Sequence, residues 1–157
     1  MKPHLVIGLG NPLMGDEGVG CALAERLAGD KRLPPEIEVI EAGTDLLDCA
    51  GQMAGRTSVT LLDAMLDPLE PGVLRVFKGD LSEFEHGQPS VHQLSVPGSL
   101  ELLKAAYPQL RDIRFTLLAV TVDSAEARAR LSPALEAMLP DLVERILEEL
   151  RGGVTRR

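Results

Sequence analysis

The sequence predicts one α/β domain, a three-layer sandwich in which helices cover both faces of a mainly parallel, twisted sheet of about five strands. The main observation is the alternation of short apolar runs with segments whose small and aliphatic residues recur at helical spacing. A second observation is size, because 157 residues of which 45% are apolar suffice for one hydrophobic core. We therefore assign residues 1–151 to a single domain and expect residues 152–157 to form a flexible tail.

The first half of the chain reads as strand, helix, strand, helix. The first strand covers residues 4–7 and runs into a glycine turn, and a helix follows from residue 16 or 17 to Leu27, before Gly29. The second strand covers residues 37–40. Thr44 or Asp45 then caps a helix that carries Leu46, Leu47 and Ala50.

The second half begins with a strand of strongly apolar character and closes with a long helix. A helix is expected from near Ser99 to the residue before Pro108, and Ser132 caps the final helix, which reaches Leu150. Three strands are predicted in this half, at residues 58–63, 72–78 and 114–120. The period-two alternation of apolar and polar residues in the second of them is typical of a half-exposed strand at a sheet edge.

Charge and cysteine content exclude several classes of function. The formal net charge of −8 repels phosphate backbones and anionic lipids, so we expect neither a nucleic-acid nor a membrane partner. The two cysteines, Cys21 and Cys49, have no metal-binding spacing and lie among Ala and Leu, which favours buried thiols. Residues 1–20 lack the pattern of a secretion signal, and the chain is interpreted as cytoplasmic.

The loop after the first strand is rich in glycine but does not fit a phosphate. Leu13 stands where the dinucleotide-binding pattern needs its third glycine, and no Gly-Lys-Ser/Thr follows. Asp16 and Glu17 lie at the helix N-terminus, where a pyrophosphate would have to dock and would be repelled. Two readings remain: the two acids cap the helix, or they bind a cation.

Two further polar residues follow predicted strands or loops on the same side of the sheet. Asp63 ends the third strand, where a carboxylate is costly unless it is paired, and His92 lies in a polar loop before a helix. Each has a structural alternative, a turn cap for Asp63 and a hydrogen-bonded histidine for His92. Together with Glu17 they offer two carboxylates and one imidazole, a donor set that suits zinc, nickel, iron or manganese and leaves coordination positions open.

Residues 11–20, Asn-Pro-Leu-Met-Gly-Asp-Glu-Gly-Val-Gly, resemble the N-terminal signature of the hydrogenase maturation endopeptidases, the nickel-dependent processing proteases of [NiFe] hydrogenases. The similarity continues at residues 41–44, 62–64 and 90–94 and extends over nearly the whole chain. The resemblance implies a hydrolase, often classed as an aspartic-type endopeptidase, that removes a C-terminal extension from a hydrogenase large-subunit precursor after nickel is loaded. It also implies a protein that is metal-free when isolated, because the nickel comes with the substrate. We expect the protein to be a monomer.

The family's metal-binding positions fall on Glu17, Asp63 and His92 of this sequence. By this resemblance, the three side chains hold a nickel ion already bound to the precursor, and the metal polarises the scissile carbonyl or activates a water. Asp16, next to Glu17, is a candidate for orienting that water or for supporting the ligands.

Two alternatives use part of the same pattern. Residues 8–12 also open peptidyl-tRNA hydrolases, but the continuation lacks the His-Asn pair of that family, and the acidic charge suits tRNA poorly. A non-catalytic nickel-recognition or chaperone module would use the same three ligands. Formation of a cleaved product distinguishes the module from a protease.

Overall fold

The computed structural model describes residues 1–79, 81, 95–123 and 129–155. Its centre is a five-stranded sheet in the order β2-β1-β3-β5-β4. All neighbouring strands are parallel except the edge strand β4, which pairs antiparallel with β5. This arrangement confirms the predicted α/β class and the half-exposed edge strand. The strands are β1 His4–Leu9, β2 Ile37–Gly43, β3 Ser58–Leu66, β4 Leu74–Lys78 and β5 Arg114–Val122.

Helices cover both faces of the sheet, because successive residues of the buried strands point to opposite sides. Leu5, Leu61 and Leu117 contribute to the core on one face, under α2 and α3. Their neighbours one position along each strand contribute to the core on the other face, under α1 and α4. The helices are α1 Val19–Ala28, α2 Ala50–Met53, α3 Val96–Ala106 and α4 Pro133–Thr155, with 3₁₀ turns at Gly15–Gly18, Leu46–Cys49 and Pro108–Leu110. In the part of the chain described, no helix combines the length and the apolar character needed to cross a membrane.

Several predicted boundaries differ from the structure. β3 does not end at Asp63 but continues to Leu66. Its pairing with β1 ends at Leu62, but its pairing with β5 continues to the last residue of that strand, Val122. α3 begins at Val96, three residues earlier than expected, with the Ser95 side chain accepting a hydrogen bond from the Gly98 N–H.

The C-terminal tail was predicted too long. Residues 152–155 continue α4, and Val154 packs against the core, so the expected flexible tail at 152–157 is wrong for its first four residues. Residues 156 and 157 lie outside the described chain. The helix continues past the two glycines because Val154, the residue that follows them, contacts the hydrophobic core.

Glycines allow α1 to lie closer to the sheet than it could if those positions carried side chains. A Cβ added at Gly20 would overlap the carbonyl oxygens of Leu9 and Leu62, and one added at Gly8 would overlap Ala24. The first turn of α1 therefore rests directly on the backbone where β1 ends. This contact sets the position of the loop that precedes the helix.

A buried carboxylate ties that loop to the last helix. Asp16 is only 8% exposed, and its Oδ1 accepts a hydrogen bond from the Ser132 N–H at 2.6 Å. Its Oδ2 accepts another from the Ser132 hydroxyl at 2.9 Å. Ser132 is the residue before α4, so a negative charge also lies at the positive end of a 23-residue helix.

We expect Gly20→Ala to lower the free energy of unfolding by at least about 2 kcal/mol, since the added methyl group must push α1 away from two backbone carbonyls. Gly51→Ala, at an exposed position of α2, is the matched control because a Cβ there meets no atom within 4 Å. Urea denaturation measures both variants. Equal stability of the two would contradict the close approach.

We expect Asp16→Ala to lower the free energy of unfolding by about 2 kcal/mol, because it removes two charge-assisted bonds to Ser132. In a double-mutant cycle with Ser132→Ala, the coupling should be about 1 kcal/mol or more. Asp45→Ala is the control, since that exposed carboxylate makes only a local bond to the Leu47 N–H. Strict additivity in the cycle would show that the tie contributes nothing.

Candidate active site

The loop that carries Glu17 has a shape that its glycines and Asn11 determine. Gly10 and Gly15 have φ values of 131° and 59°, which side-chain-bearing residues rarely adopt. The Asn11 Oδ1 accepts a hydrogen bond from the Leu13 N–H at 3.0 Å, and the Gly10 N–H donates to the Gly43 carbonyl at 2.8 Å. The loop is thereby fastened to the end of β2 and places the half-buried Glu17 in the 3₁₀ turn before α1.

Asp63 lies in β3 one residue beyond the last pairing with β1. Strand β1 no longer pairs with β3 at this level, and β3 contacts the 3₁₀ turn Gly15–Gly18 that carries Glu17. The Asp63 Oδ1 accepts a hydrogen bond from the Ala64 N–H at 2.8 Å. The side chain is half-buried in spite of its charge.

The electrostatics of Asp63 link it to Glu17. Burial raises the pKa of Asp63 to about 7, the hydrogen bond from Ala64 opposes the rise, and the negative charge of Glu17 adds to it. Two carboxylates that repel each other at one rim form a region where a bound cation would relieve the repulsion. The chemistry of these two donors therefore fits a divalent metal.

Cys21 lies close to the same rim but is not a nucleophile in this arrangement. Burial raises the pKa of the Cys21 thiol, and the negative charges of Glu41 and Asp63 raise it further. The thiol donates weakly to the carbonyls of Gly8 and Gly10, at 3.8 and 3.6 Å. Both cysteines are free and buried, as predicted, and burial and the nearby carboxylates keep the Cys21 thiol protonated.

The structure separates Asp16 from its neighbour in the sequence. Glu17 interacts with Asp63, whereas both oxygens of Asp16 bond to Ser132. The expected role of Asp16 in orienting water is untested, and these bonds favour a structural role. Sequence analysis identified Ser132 only as a helix cap; its pairing with Asp16, across 116 positions, leaves no local signal.

The third predicted ligand, His92, lies outside the described residues, three positions before the cap of α3. Among the residues that are described, no group of three or more His, Cys, Asp or Glu side chains is placed to hold a metal ion. Of the predicted site, the structure describes Glu17 and Asp63, whose charges interact. The complete ligand set stays a prediction.

Comparison with known proteins agrees with this geometry. The family model described as HycI, hydrogenase maturation protease, matches residues 21–149. The chain is 30% identical over 151 residues to the hydrogenase 2 maturation protease of Escherichia coli K12, covering 94% of this chain and 90% of that protein. It is 28% identical to the hydrogenase expression/formation protein HoxM of Azotobacter vinelandii, covering 98% of this chain and 79% of HoxM.

Solved structures show the same fold. The hydrogenase maturating endopeptidase HybD of E. coli superposes with a TM-score of 0.80 at 29% identity, over 96% of this chain and 93% of that one. The [NiFe] hydrogenase maturation protease HybD of Thermococcus kodakarensis gives 0.73 at 28% identity, over 94% and 97%. The chain belongs to the hydrogenase maturation proteases and is a hydrolase acting on peptide bonds.

Proposed function

We propose that this protein removes a C-terminal extension from the nickel-loaded large-subunit precursor of a [NiFe] hydrogenase. The observation that carries the proposal is that Glu17, in the turn after β1, and Asp63, in β3 beyond its last pairing with β1, place two mutually repelling carboxylates at the edge of the sheet where β1 ends. Ligands of open α/β sheets bind at this edge. One homologous structure is named as a [NiFe] hydrogenase maturation protease, which supports the same substrate class here.

In this proposal the nickel ion belongs to the substrate. Glu17, Asp63 and His92 complete the coordination of an ion that the precursor already holds, so metal loading becomes the condition for recognition. The metal supplies Lewis-acid polarisation of the scissile carbonyl or of a water. The protein contributes acidic donors placed by the fold before the substrate arrives, which lowers the ordering cost of binding.

The protonation of Asp63 fits this role. With a pKa of about 7 the side chain accepts a proton near neutral pH when no cation is present, which limits its repulsion with Glu17. A cation that binds both carboxylates displaces that proton. We also infer a cytoplasmic monomer, in keeping with the acidic charge of the chain.

A nickel chaperone is the alternative use of the same donors, and cleavage separates the two functions. We expect the chain to shorten nickel-loaded precursor and to leave nickel-free precursor intact, as followed by mass spectrometry of the large subunit. Equal cleavage of both forms would exclude metal-gated recognition. Tight binding of free nickel, measured by calorimetry, without any shortened product would favour the chaperone.

We expect Asp63→Asn to abolish processing, because an amide is a poor metal donor. The same variant should be more stable than the wild type at pH 8, by on the order of 2 kcal/mol after allowance for partial exposure. The sign follows from the raised pKa: the native state holds its proton more tightly than the unfolded state, so the wild type loses stability as the pH rises from about 4 to about 7. Below pH 4 the two stabilities should converge.

Processing assays and urea denaturation at pH 4 and pH 8 measure the two effects of this substitution. Asp48→Asn, at an exposed carboxylate in the turn before α2, is the control and should change neither processing nor the pH dependence of stability. Processing by Asp63→Asn at the wild-type rate would remove Asp63 from the site. A variant less stable than the wild type at pH 8 would contradict the electrostatic account.

A further inference from the structure

A cavity of about 540 Å³ lies at the end of the sheet opposite the candidate active site. Its lining includes the first residues of three parallel strands, His4 of β1, Ser58 of β3 and Arg114 of β5. The C-terminal end of α4 borders it through residues 149, 150, 153 and 154. The volume is within the range of pockets that hold small organic ligands.

The floor of this cavity is polar, whereas the rest of the same face of the sheet is apolar. Strand register places Thr60 beside Thr116, one row from the terminal residues of the strands. The next row along the strands, Leu62 beside Leu118, is fully buried in the core under α1 and α4. We call the set His4, Ser58, Thr60, Arg114 and Thr116 the polar floor.

Hydrogen-bonding capacity on the polar floor is only partly used. The His4 Nδ1 lies 2.7 Å from the Ser58 hydroxyl oxygen. The hydroxyls of Thr60 and Thr116 have no hydrogen-bond partner among the residues that the structure describes, although both side chains are half-buried. Two adjacent hydroxyls that face an open cavity are available to a ligand.

The cavity is open because α4 ends in small residues. Gly153 lines it, and a Cβ added there would meet no atom within 4 Å. Beside this opening the wall is aliphatic, formed by Leu150 and Val154 of α4. An apolar body therefore has a surface to contact beside the polar floor.

Among the described residues, the charge around the cavity is opposite in sign to that of the whole chain. In this part of the chain, four cationic side chains line the cavity, Lys78, Lys104, Arg111 and Arg114, against the two acids Asp112 and Glu149. Glu149 pairs with Lys78 at 3.7 Å. A local excess of positive charge on a chain of net charge −8 favours an anion at this position.

We propose that this cavity binds a small amphipathic organic anion. Its anionic head contacts the polar floor, including the guanidinium group of Arg114, and its aliphatic body lies against Leu150 and Val154. The site is separate from the carboxylate rim at the other end of the strands and does not depend on the proposed protease mechanism.

Octanoate is a suitable probe, with octan-1-ol as its uncharged counterpart. In a methyl NMR titration of the full chain, we expect the Thr60 and Thr116 signals to shift saturably with octanoate at a Kd of about 1 mM or below. Octan-1-ol should bind at least about tenfold more weakly, because it lacks the carboxylate. No saturable shift, or equal affinity for the two compounds, would overturn the proposal.

Two neighbouring glycines supply a matched pair of variants. Gly153→Leu places a side chain in the cavity and should weaken octanoate binding at least about tenfold, whereas Gly152→Leu, at a position that also has open space but does not line the cavity, should retain it. Thermal unfolding verifies that both remain folded. Equal affinity of the two variants, whether weakened or unchanged, contradicts the site.

Discussion

The burial of the Asp63 carboxyl group, beside the negative charge of Glu17, is the constraint on which the functional end of this molecule depends. Two half-buried carboxylates oppose folding unless the surrounding structure holds them in place. Burial raises the pKa of Asp63 to about 7, and the charge of Glu17 adds to that rise. A protein that binds a cationic centre on its substrate needs such a site before the substrate arrives, and the cost falls on the stability of the free chain.

The remainder of the fold supplies the restraint. Close contact of α1 with the sheet at Gly20 fixes how near the helix and its preceding loop lie to the sheet. The bonds from Ser132 to Asp16 hold the loop and couple it to a helix of 23 residues. The two adjacent acids thus have different tasks, since Asp16 stabilises the loop and the charge of Glu17 acts on Asp63.

The two ends of the sheet present contrasting chemistry. At the carboxyl ends of β1 and β3, acidic side chains favour a cation. At the amino ends, hydroxyls and an excess of basic side chains surround a cavity. The hydrophobic layers between them, with Leu62 and Leu118 among the buried residues, keep the two regions apart. Because the two regions are separate, residues at one end can be substituted while the properties of the other end are expected to stay unchanged.

By itself, the sequence determined the α/β class, the order of the elements and the identity of the first acidic loop, because these depend on local periodicity, glycine placement and strand-end residues. Its resemblance to the processing proteases named the family that the comparisons confirm. Tertiary structure decided the rest. The extension of β3 past Asp63 required the partner strand β5, and the division of labour between Asp16 and Glu17 required Ser132, 116 positions away. The continuation of α4 through Gly152 and Gly153 likewise depended on core contacts of Val154 that helix propensity does not encode.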